Sequence, residues 1–295
     1  MNLSIITQSF PIDPETYHEI KTLCESALLL DKFNYSSVLN LQESLQFNVK
    51  GFFVLAYDNE QDELVGAASA TDQMGLNTYE WAILVSPMYR DIGLDEALLK
   101  VIGDGLHQRG AEGELALVIE NDTPRRKFVE KYGYSYSFSE ATLEAEPQTL
   151  ASLESLGSLQ IREYLEVKDQ EALIGIFSDA FGDLREESIE LIQYNSMTEG
   201  RILWVAETDG EIVGTITSSK EGKAQAISAL AVHPDKQGHG IGTALLNWVK
   251  DFAKRNGDEV VMLDVELENE RALAVYEKAG FIKLMQVDYF VYTGK

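Results

Sequence analysis

The second half of the chain shows two clear hydrophobic periods, that of a helix and that of a strand, and a glycine-rich loop precedes the helix. Residues 241–252 place apolar side chains three and four positions apart, which predicts an amphipathic helix. Residues 260–266 alternate apolar and polar side chains, as a half-buried strand does. A run at 226–232 that is apolar except for Ser228 predicts a further strand, which leads through the glycine loop into the helix.

The same patterns predict the remaining elements and, from them, the fold class. Asn256 and Gly257 are a helix stop, and Asp209 and Gly210 indicate a hairpin turn. Predicted helices of the second half are 170–181, 185–194 and 270–279, and predicted strands are 202–207, 212–218 and 287–292. Predicted strands of the first half are 52–57, 64–70, 79–85 and 115–119. Helices that link neighbouring strands within a strand-rich chain predict an α+β fold with a mixed sheet.

The chain contains an internal repeat. Residues 84–99 match 231–246 at a shift of 147 (231 − 84), and 129–134 match 276–281 at the same shift (276 − 129). A third match, at a shift of 148 (214 − 66), places a single insertion or deletion between the copies. This period is too long for a solenoid repeat, so we expect two tandem globular domains, 1–147 and 158–295. The polar segment 146–158, with Pro147 and Gly157, is the expected junction.

The composition of the chain limits the kinds of molecule that it could bind. The formal net charge of −25, from 24 basic and 49 acidic residues, disfavours nucleic acid and anionic membranes as partners. An acidic field attracts cationic amines, although acidic residues also serve simply to keep a surface solvated. The single cysteine, the absence of zinc-ligand spacing and an N-terminus without a basic region predict a cytoplasmic protein without a disulfide or a metal.

The loop QGHGIG at 237–242 has the pattern of a phosphate site. Successive backbone N–H groups hold a phosphate when glycines let the chain approach closely and a helix N-terminus follows. Neither a P-loop nor a dinucleotide-binding fingerprint is present, because GxxxxGK[ST] is missing and no ribose-binding acid follows at the usual spacing.

The motifs around this loop resemble the GNAT superfamily of acyl-CoA-dependent N-acetyltransferases. The pyrophosphate loop of that family is similar to Gln237, Gly240 and Gly242, and its second motif is similar to the segment NERALAVYEKAGF at 269–281. The chain is therefore identified as a tandem GNAT protein with a degenerate N-terminal copy.

The resemblance implies acetyl-CoA as co-substrate and a set of site residues. The backbone of Leu230 would face the thioester carbonyl, and that of Val232 would pair with the pantetheine arm. Tyr276 would be the acid that protonates the leaving thiolate, although a tyrosine at such a place is often only a core aromatic. Asn269 is also a good helix N-cap. The implied cofactor-binding residues are Leu230, Val232, Gln237, Gly238, His239, Gly240, Ile241, Gly242, Thr243 and Asn269.

No general base follows from the sequence. Ala226 stands where several family members have a glutamate. Ser228, Asp264 and Glu266 are weak alternatives, and His233 and His239 flank the loop without a catalytic pattern. A water chain that deprotonates the amine would need no side chain.

The first copy departs from the family pattern at three positions. Asp91 and Asp95 replace Gly238 and Gly242, and Val129 replaces Tyr276, while Arg90 and Gly93 still match. Two carboxylates beside a diphosphate would repel it, so we expect this copy to be a structural or acceptor-shaping partner.

The expected function is transfer of an acetyl group from acetyl-CoA to a primary amine, catalysed by the C-terminal domain. The segment 181–197, whichever N-terminal surface faces it and the C-terminal strand would select the acceptor. A polyamine, an aminoglycoside-like amine, an amino acid and a protein N-terminus all fit. The alternatives are a non-catalytic acyl-CoA-binding or sensing module and a scaffold that has kept only the fold. An oligomer is possible.

Overall fold

The computed structural model describes residues 2–73, 75–150 and 158–294, so part of the predicted junction lies outside the described residues. The chain divides into two compact units. Unit 1 comprises Met1–Ser139 and Gln286–Lys295, and unit 2 comprises Glu140–Met285. The predicted domains 1–147 and 158–295 follow the sequence repeat and stay a prediction. The two units have other bounds, because unit 2 begins at Glu140 of the first copy and unit 1 includes Gln286–Lys295 of the second copy.

Unit 1 is built from strands and helices that alternate along the first copy. Its strands are β1 (Leu3–Ser9), β2 (Lys50–Asp58), β3 (Glu63–Asp72), β4 (Thr78–Val85), β5 (Gly113–Ile119), the first half of β6 (Tyr134–Ala145) and most of β12 (Ile282–Tyr292). Its helices are α1 (Pro14–Asp31), the single turn α2 (Tyr35–Val38), α3 (Leu94–Gln108) and α4 (Thr123–Lys131), with 3₁₀ turns at Glu43–Leu45 and Pro87–Tyr89.

Unit 2 repeats this order. Its strands are the second half of β6, β7 (Gln160–Glu163), β8 (Arg201–Thr208), β9 (Glu211–Glu221), β10 (Ala224–Val232) and β11 (Val260–Glu266), followed by the start of β12. Its helices are α5 (Glu166–Phe181), α6 (Arg185–Met197), α7 (Ile241–Asn256) and α8 (Glu270–Lys278), with a 3₁₀ turn at Pro234–Lys236. Helix α5 begins four residues before the predicted start, because Asp169 accepts the Leu165 N–H and so fixes the first turn.

Each unit has a mixed sheet of one design. The strand order is β1-β2-β3-β4-β5-β12 in unit 1 and β6-β11-β10-β9-β8-β7 in unit 2. The pairs β4/β5 and β10/β11 are parallel, and the other pairs whose register is known are antiparallel. A parallel pair needs a crossover connection, which α3 supplies in unit 1 and α7 in unit 2. The predicted α+β class with a mixed sheet is therefore confirmed.

The repeat extends to irregularities of the backbone. In unit 1 the β2/β3 register shifts at Val65, and in unit 2 the β8/β9 register shifts at Val213, which is 148 residues later (213 − 65). The hairpins before these bulges contain Asp62 with φ 55° and Asp209 with φ 52°. Shared bulges are a property of one fold used twice.

The helix predicted from the 241–252 pattern is the centre of the unit 2 core. Leu245, Leu246 and Val249 of α7 are fully buried against the sheet. A Cβ at Gly214 of β9 would lie 3.3 Å from the side chains of both Ile241 and Leu245. This close approach fixes the start of α7 against β9, and Gly257, with φ 73°, ends the helix at its other terminus.

A buried ion pair joins α5 to the sheet of unit 2. Asp169 is fully buried, and Arg162 Nη1 and Nη2 donate to its two carboxylate oxygens at 2.6 and 2.8 Å. Arg162 Nη2 also donates to Glu207 at 2.6 Å. Burial opposes the charged form of Asp169, but the Arg162 hydrogen bonds and the Leu165 N–H outweigh it and hold its pKa below the usual range.

Removing Arg162 should destabilise unit 2 strongly. We expect Arg162→Met to lower the free energy of unfolding by about 3 kcal/mol at neutral pH, because it leaves the Asp169 carboxylate buried without its partner. Chemical denaturation measures the loss. Because the folded pKa of Asp169 is depressed, the stabilisation exists above the unfolded pKa and is lost as pH falls through the folded pKa, so mutant and wild type should converge in acid.

Arg185→Met is the matched control for this prediction. Arg185 also makes a two-fold contact with a carboxylate, Glu171, but the two side chains are 54% and 74% exposed. Exposed pairs contribute little, so its loss should be far smaller. Equal losses in the two variants would contradict the assignment of the stabilisation to the buried pair.

Candidate active site

Strand β10 separates from β11 in the middle of the unit 2 sheet. The parallel pairing runs from Ala224 to Ala226, opposite Val260 to Met262, and then stops although both strands continue. On its other edge, β10 carries one extra residue between Ser228 and Ala231 relative to β9. Ala229 within this bulge has φ 49°, in the left-handed region that residues with a Cβ adopt at a cost.

The bulge and the separation have one structural consequence. From residue 227 onward, the edge of β10 that faces β11 has no ladder partner, so its backbone N–H and C=O groups are available to an extended ligand. Leu230 lies inside the bulge, and Val232 ends the strand. Both residues implied to contact the cofactor by their backbone therefore lie on this open edge.

The glycine loop that follows is held by side-chain contacts to its own backbone. Gly238 and Gly240 have φ of 77° and 85°, which explains why glycine occupies these two places. Gln237 Nε2 donates to the Val232 carbonyl at 3.1 Å, which ties the loop to the end of β10. His239 Nδ1 lies 2.9 Å from the Gln237 carbonyl, so this histidine serves the loop conformation.

The loop ends at the N-terminus of α7. Gly240 is the N-cap, and the first amides of the helix, at Ile241, Gly242 and Thr243, have no preceding turn to bond. The first turn contains no acidic residue, so its positive end is not compensated from within the helix. Gly242 itself is helical, and a Cβ there would meet Val275 at 3.4 Å, an ordinary contact, so its role is weaker than that of Gly238 and Gly240.

Helix α8 holds the other two predicted site residues. Asn269 is its N-cap, with Oδ1 accepting the Ala272 N–H at 3.1 Å. Tyr276 is 9% exposed and packs edge-on against Phe281, with ring centroids 6.1 Å apart. No described residue makes a hydrogen bond to its hydroxyl, and burial raises its pKa above the ordinary tyrosine value.

The candidate bases lie on the sheet face opposite α7. Ala226, Ser228 and the pair Asp264 and Glu266 share this face, because Ala226 pairs with Met262 and side chains alternate along each strand. Ser228 and both carboxylates are exposed. Thr142 Oγ1 donates to Asp264 at 2.6 Å, so this carboxylate already has a partner. Glu266 lies two residues farther along, at the end of β11.

Unit 1 keeps the loop and a free strand edge, because the β4/β5 pairing ends at Trp81 while β4 continues to Val85, but it lacks the bulge. Asp91 and Gly93 have φ of 63° and 83°, close to the values at Gly238 and Gly240. Strand β4, however, has an unbroken register with β3 and pairs with β5 over four residues, so it carries no bulge.

Ion pairs fill the unit 1 loop. Arg90 makes a bidentate pair with Asp31, one bond of which is 3.0 Å, and Arg125 Nη1 donates to Asp95 at 2.7 Å. These groups line a cavity of about 470 Å³. The charge of Asp95 is therefore balanced by Arg125, a contact that the sequence did not predict.

Two features escaped the sequence reasoning. The bulge at 229–230 contains no glycine or proline that would indicate it in the sequence, since the left-handed residue is Ala229. The partners Asp31 and Arg125 lie far from the loop in sequence, and no repeat marks them. Among the described residues there is no cluster of three or more metal-ligating side chains, and no helix there is long and apolar enough to cross a membrane.

Comparison with known proteins gives the same family for both copies. A model of the acetyltransferase (GNAT) family matches residues 16–134 and 169–281. A mycothiol acetyltransferase of Paenarthrobacter aurescens is 24% identical over 96% of this chain and 94% of its own length. A second, from Kocuria rhizophila, is 26% identical over 75% of this chain and 78% of its own length.

Solved structures share the fold over most of the chain. A GCN5-related N-acetyltransferase from Sphaerobacter thermophilus has a TM-score of 0.76 at 21% identity, over 97% of this chain and 95% of that one. A tandem GNAT protein from the clavulanic acid biosynthesis pathway has a TM-score of 0.67 at 16% identity, over 98% of each chain. With the two family matches, these likenesses show that the chain belongs to the acetyltransferase (GNAT) family, as a tandem, acyl-CoA-dependent N-acyltransferase.

Proposed function

We propose that unit 2 catalyses acetyl transfer from acetyl-CoA to the primary amine of a small molecule, and that unit 1 does not. The observation that carries this proposal is the bulged, open edge of β10, which leads directly into an acid-free helix N-terminus. Unit 1 lacks the bulge and the acid-free terminus, because β4 is regular and the first turn of α3 contains Asp95 and Glu96.

The residues of unit 2 fit acetyl-CoA. The diphosphate would lie on the backbone of 237–243, where two left-handed glycines and the start of α7 direct N–H groups outward. The free edge of β10 at Val232 would pair with the amide groups of the pantetheine arm in the manner of an added strand. Acetyl-CoA supplies an activated thioester when bound.

The bulge at Ala229 would provide the electrostatic part of catalysis. It breaks the ladder with β9 at Leu230, and the separation from β11 leaves that amide without a strand partner on the open side. Attack on a thioester places negative charge on the carbonyl oxygen, and a fixed N–H donor there contributes about 3 to 4 kcal/mol in enzymes where such a donor has been removed.

Tyr276 would protonate the leaving thiolate. Burial raises its pKa, so its hydroxyl keeps its proton throughout the neutral range and can donate it. The packing against Phe281, together with the Phe281 N–H bond to the Tyr276 carbonyl at 3.0 Å, fixes the direction of the side chain. Asn269 would help by holding the N-terminus of α8 through its cap.

The base is a water on the face that Ser228 and Glu266 share. Both side chains are exposed, so an ordered water between strand ends could bond to them and receive the proton of the amine. The relatives named mycothiol acetyltransferase support a small-molecule acceptor. Segment 181–197, which contains α6, would form part of its site.

The first test is the stoichiometry of acetyl-CoA binding by isothermal titration of the whole chain. We expect one site per chain, and Gly240→Asp should weaken it on the order of a hundredfold or more, since a carboxylate near a phosphate costs up to about 4 kcal/mol. Aspartate tolerates the left-handed region, as Asp91 does in unit 1, so the fold should survive.

Two variants control this experiment. Gly240→Asn has the shape of the aspartate without its charge and should lose much less affinity. Gly93→Asp places the same carboxylate at the equivalent N-cap in unit 1 and should leave binding unchanged. Two sites per chain, or a loss caused by Gly93→Asp, would assign the cofactor to unit 1 as well and overturn the proposal.

A second test addresses the acid. Tyr276→Phe should lower kcat about a hundredfold in a coupled assay of CoA release, while the acetyl-CoA Kd stays the same. Tyr57→Phe, which removes a hydroxyl bonded to Glu19 in unit 1, should be silent. Because the Tyr276 pKa is raised, the wild-type rate should show no loss from its ionisation below about pH 10. An unchanged kcat in Tyr276→Phe would show that the side chain only packs.

A further inference from the structure

Lys250 of α7 is buried against the C-terminal end of α8. It is only 3% exposed, and its Nζ donates to the Ala279 carbonyl at 2.7 Å. Among the described residues no carboxylate forms an ion pair with this ammonium, although the chain has about twice as many acidic as basic residues. Burial without a counter-ion lowers the Lys250 pKa. The lysine therefore keeps its place at a cost in desolvation.

The turn that Lys250 contacts also holds Tyr276. Ala279 is the C-cap of α8, three residues after the tyrosine (279 − 276). In the same turn the Phe281 N–H donates to the Tyr276 carbonyl at 3.0 Å, and the two rings pack edge-on with centroids 6.1 Å apart. Lys250 Nζ lies 6.0 Å from the centre of the Phe281 ring. Lys250 thus adjoins both the backbone turn and the ring against which the tyrosine packs.

Unit 1 forms the same turn without this lysine. Helix α4 matches α8 at the shift of 147 (270 − 123), and the turn after it has Gly133 at φ 89°, against 85° at Gly280. The position that matches Lys250 is Gly103 (250 − 147), where an added Cβ would meet nothing within 4 Å. The C-terminal end of a helix attracts a cation, but this holds for both helices alike. Neither the turn nor the helix end therefore explains why only unit 2 has the lysine.

The lysine and the tyrosine occur in the same copy of the repeat. Unit 2 has Lys250 and Tyr276, whereas unit 1 has Gly103 and Val129 at the two positions. Val129 is fully buried, so it fills the core beneath its helix but has no hydroxyl to direct. A contact that served only helix packing would be of equal use in both copies. The presence of the lysine therefore follows the presence of the hydroxyl.

We propose that Lys250 is a positioning residue for acetyl transfer, which fixes the end of α8 so that the Tyr276 hydroxyl stays directed at the leaving thiolate. This inference rests on the proposed role of Tyr276 as the acid. Tyr276 gives its proton to the sulfur as the carbon–sulfur bond of the thioester breaks, and Lys250 neither gives nor takes a proton in this step. An acid must lie within hydrogen-bond reach of the atom that it protonates, so a displacement of about 1 Å lowers the rate steeply.

The test is a double-mutant cycle with Lys250→Met and Tyr276→Phe in the full chain. The rate is release of the CoA thiol from acetyl-CoA with the best acceptor of a panel that contains spermidine, kanamycin and the free L-amino acids. Lys250→Met should lower kcat about tenfold and leave the acetyl-CoA Kd unchanged. In the Tyr276→Phe background the same change should alter kcat by less than about twofold, because no hydroxyl is left to position. Lys254→Met, an exposed lysine one turn later on α7, should be silent.

A second readout needs no turnover. The full chain is prepared with tyrosine isotopically labelled at Cζ, and the NMR signal of Tyr276 is assigned by its loss in Tyr276→Phe. Without acetyl-CoA, Lys250→Met should shift this signal, because the ring leaves its fixed surroundings, whereas Lys254→Met should not. If Lys250→Met does not fold, Lys250→Gln, whose side chain is neutral and one atom shorter, is judged by the same two measurements.

The outcomes separate this inference from the proposed function. If Tyr276→Phe alone leaves kcat unchanged, the acid role is wrong and the positioning role of Lys250 is wrong with it. If Tyr276→Phe lowers kcat but the Lys250 variant lowers it equally in both backgrounds, the lysine is only structural and the acid role stands. An unchanged Tyr276 signal in the folded Lys250 variant also overturns the positioning role, even where no amine of the panel is acetylated.

Discussion

The separation of β10 from β11 after Ala226 is the constraint on which the rest of unit 2 depends. A left-handed Ala229 costs on the order of 1 to 3 kcal/mol, so the neighbouring structure must hold it in place. Antiparallel pairing with β9 resumes at Ala231, which is itself buried, and Ile227 before the bulge is buried as well. The strain is thus fixed between two anchored residues, where it can keep backbone groups unpaired without disordering the strand.

The two copies show how one scaffold serves two purposes. Both preserve the left-handed loop before the central helix and the bulge near the first hairpin, at Val65 and Val213. They differ at the strand that precedes the loop, regular in unit 1 and bulged in unit 2. In unit 1 the arginines beside the loop already have carboxylate partners, since Arg125 pairs with Asp95 and Arg90 with Asp31. These carboxylates take the place that a bound anion would otherwise have. Loop conformation alone is therefore a poor guide to which copy binds a ligand.

The sequence predicted the elements well where a period is long and local. The α7 stripe, the stop at Gly257 and the strand 260–266 all follow from side-chain spacing. It did not predict the bulge, because the register depends on which residue of β9 each residue of β10 meets, and Ala229 has no conformational signature. It also missed the Arg90 and Arg125 partners, since contacts between distant segments are set by tertiary packing. Glycines marked the loop because Gly238 and Gly240 need a positive φ that few other residues adopt.

Helix α8 connects the two ends of unit 2. Asn269 caps its first turn on the side of the open edge, and Lys250 bonds the carbonyl of Ala279 at its far end. With only nine residues, such a helix has little stability of its own, so its placement depends on these end contacts and on the burial of Tyr276. Ala279 lies three residues after Tyr276 (279 − 276), within one helical turn, so the Lys250 contact fixes the segment that carries the tyrosine.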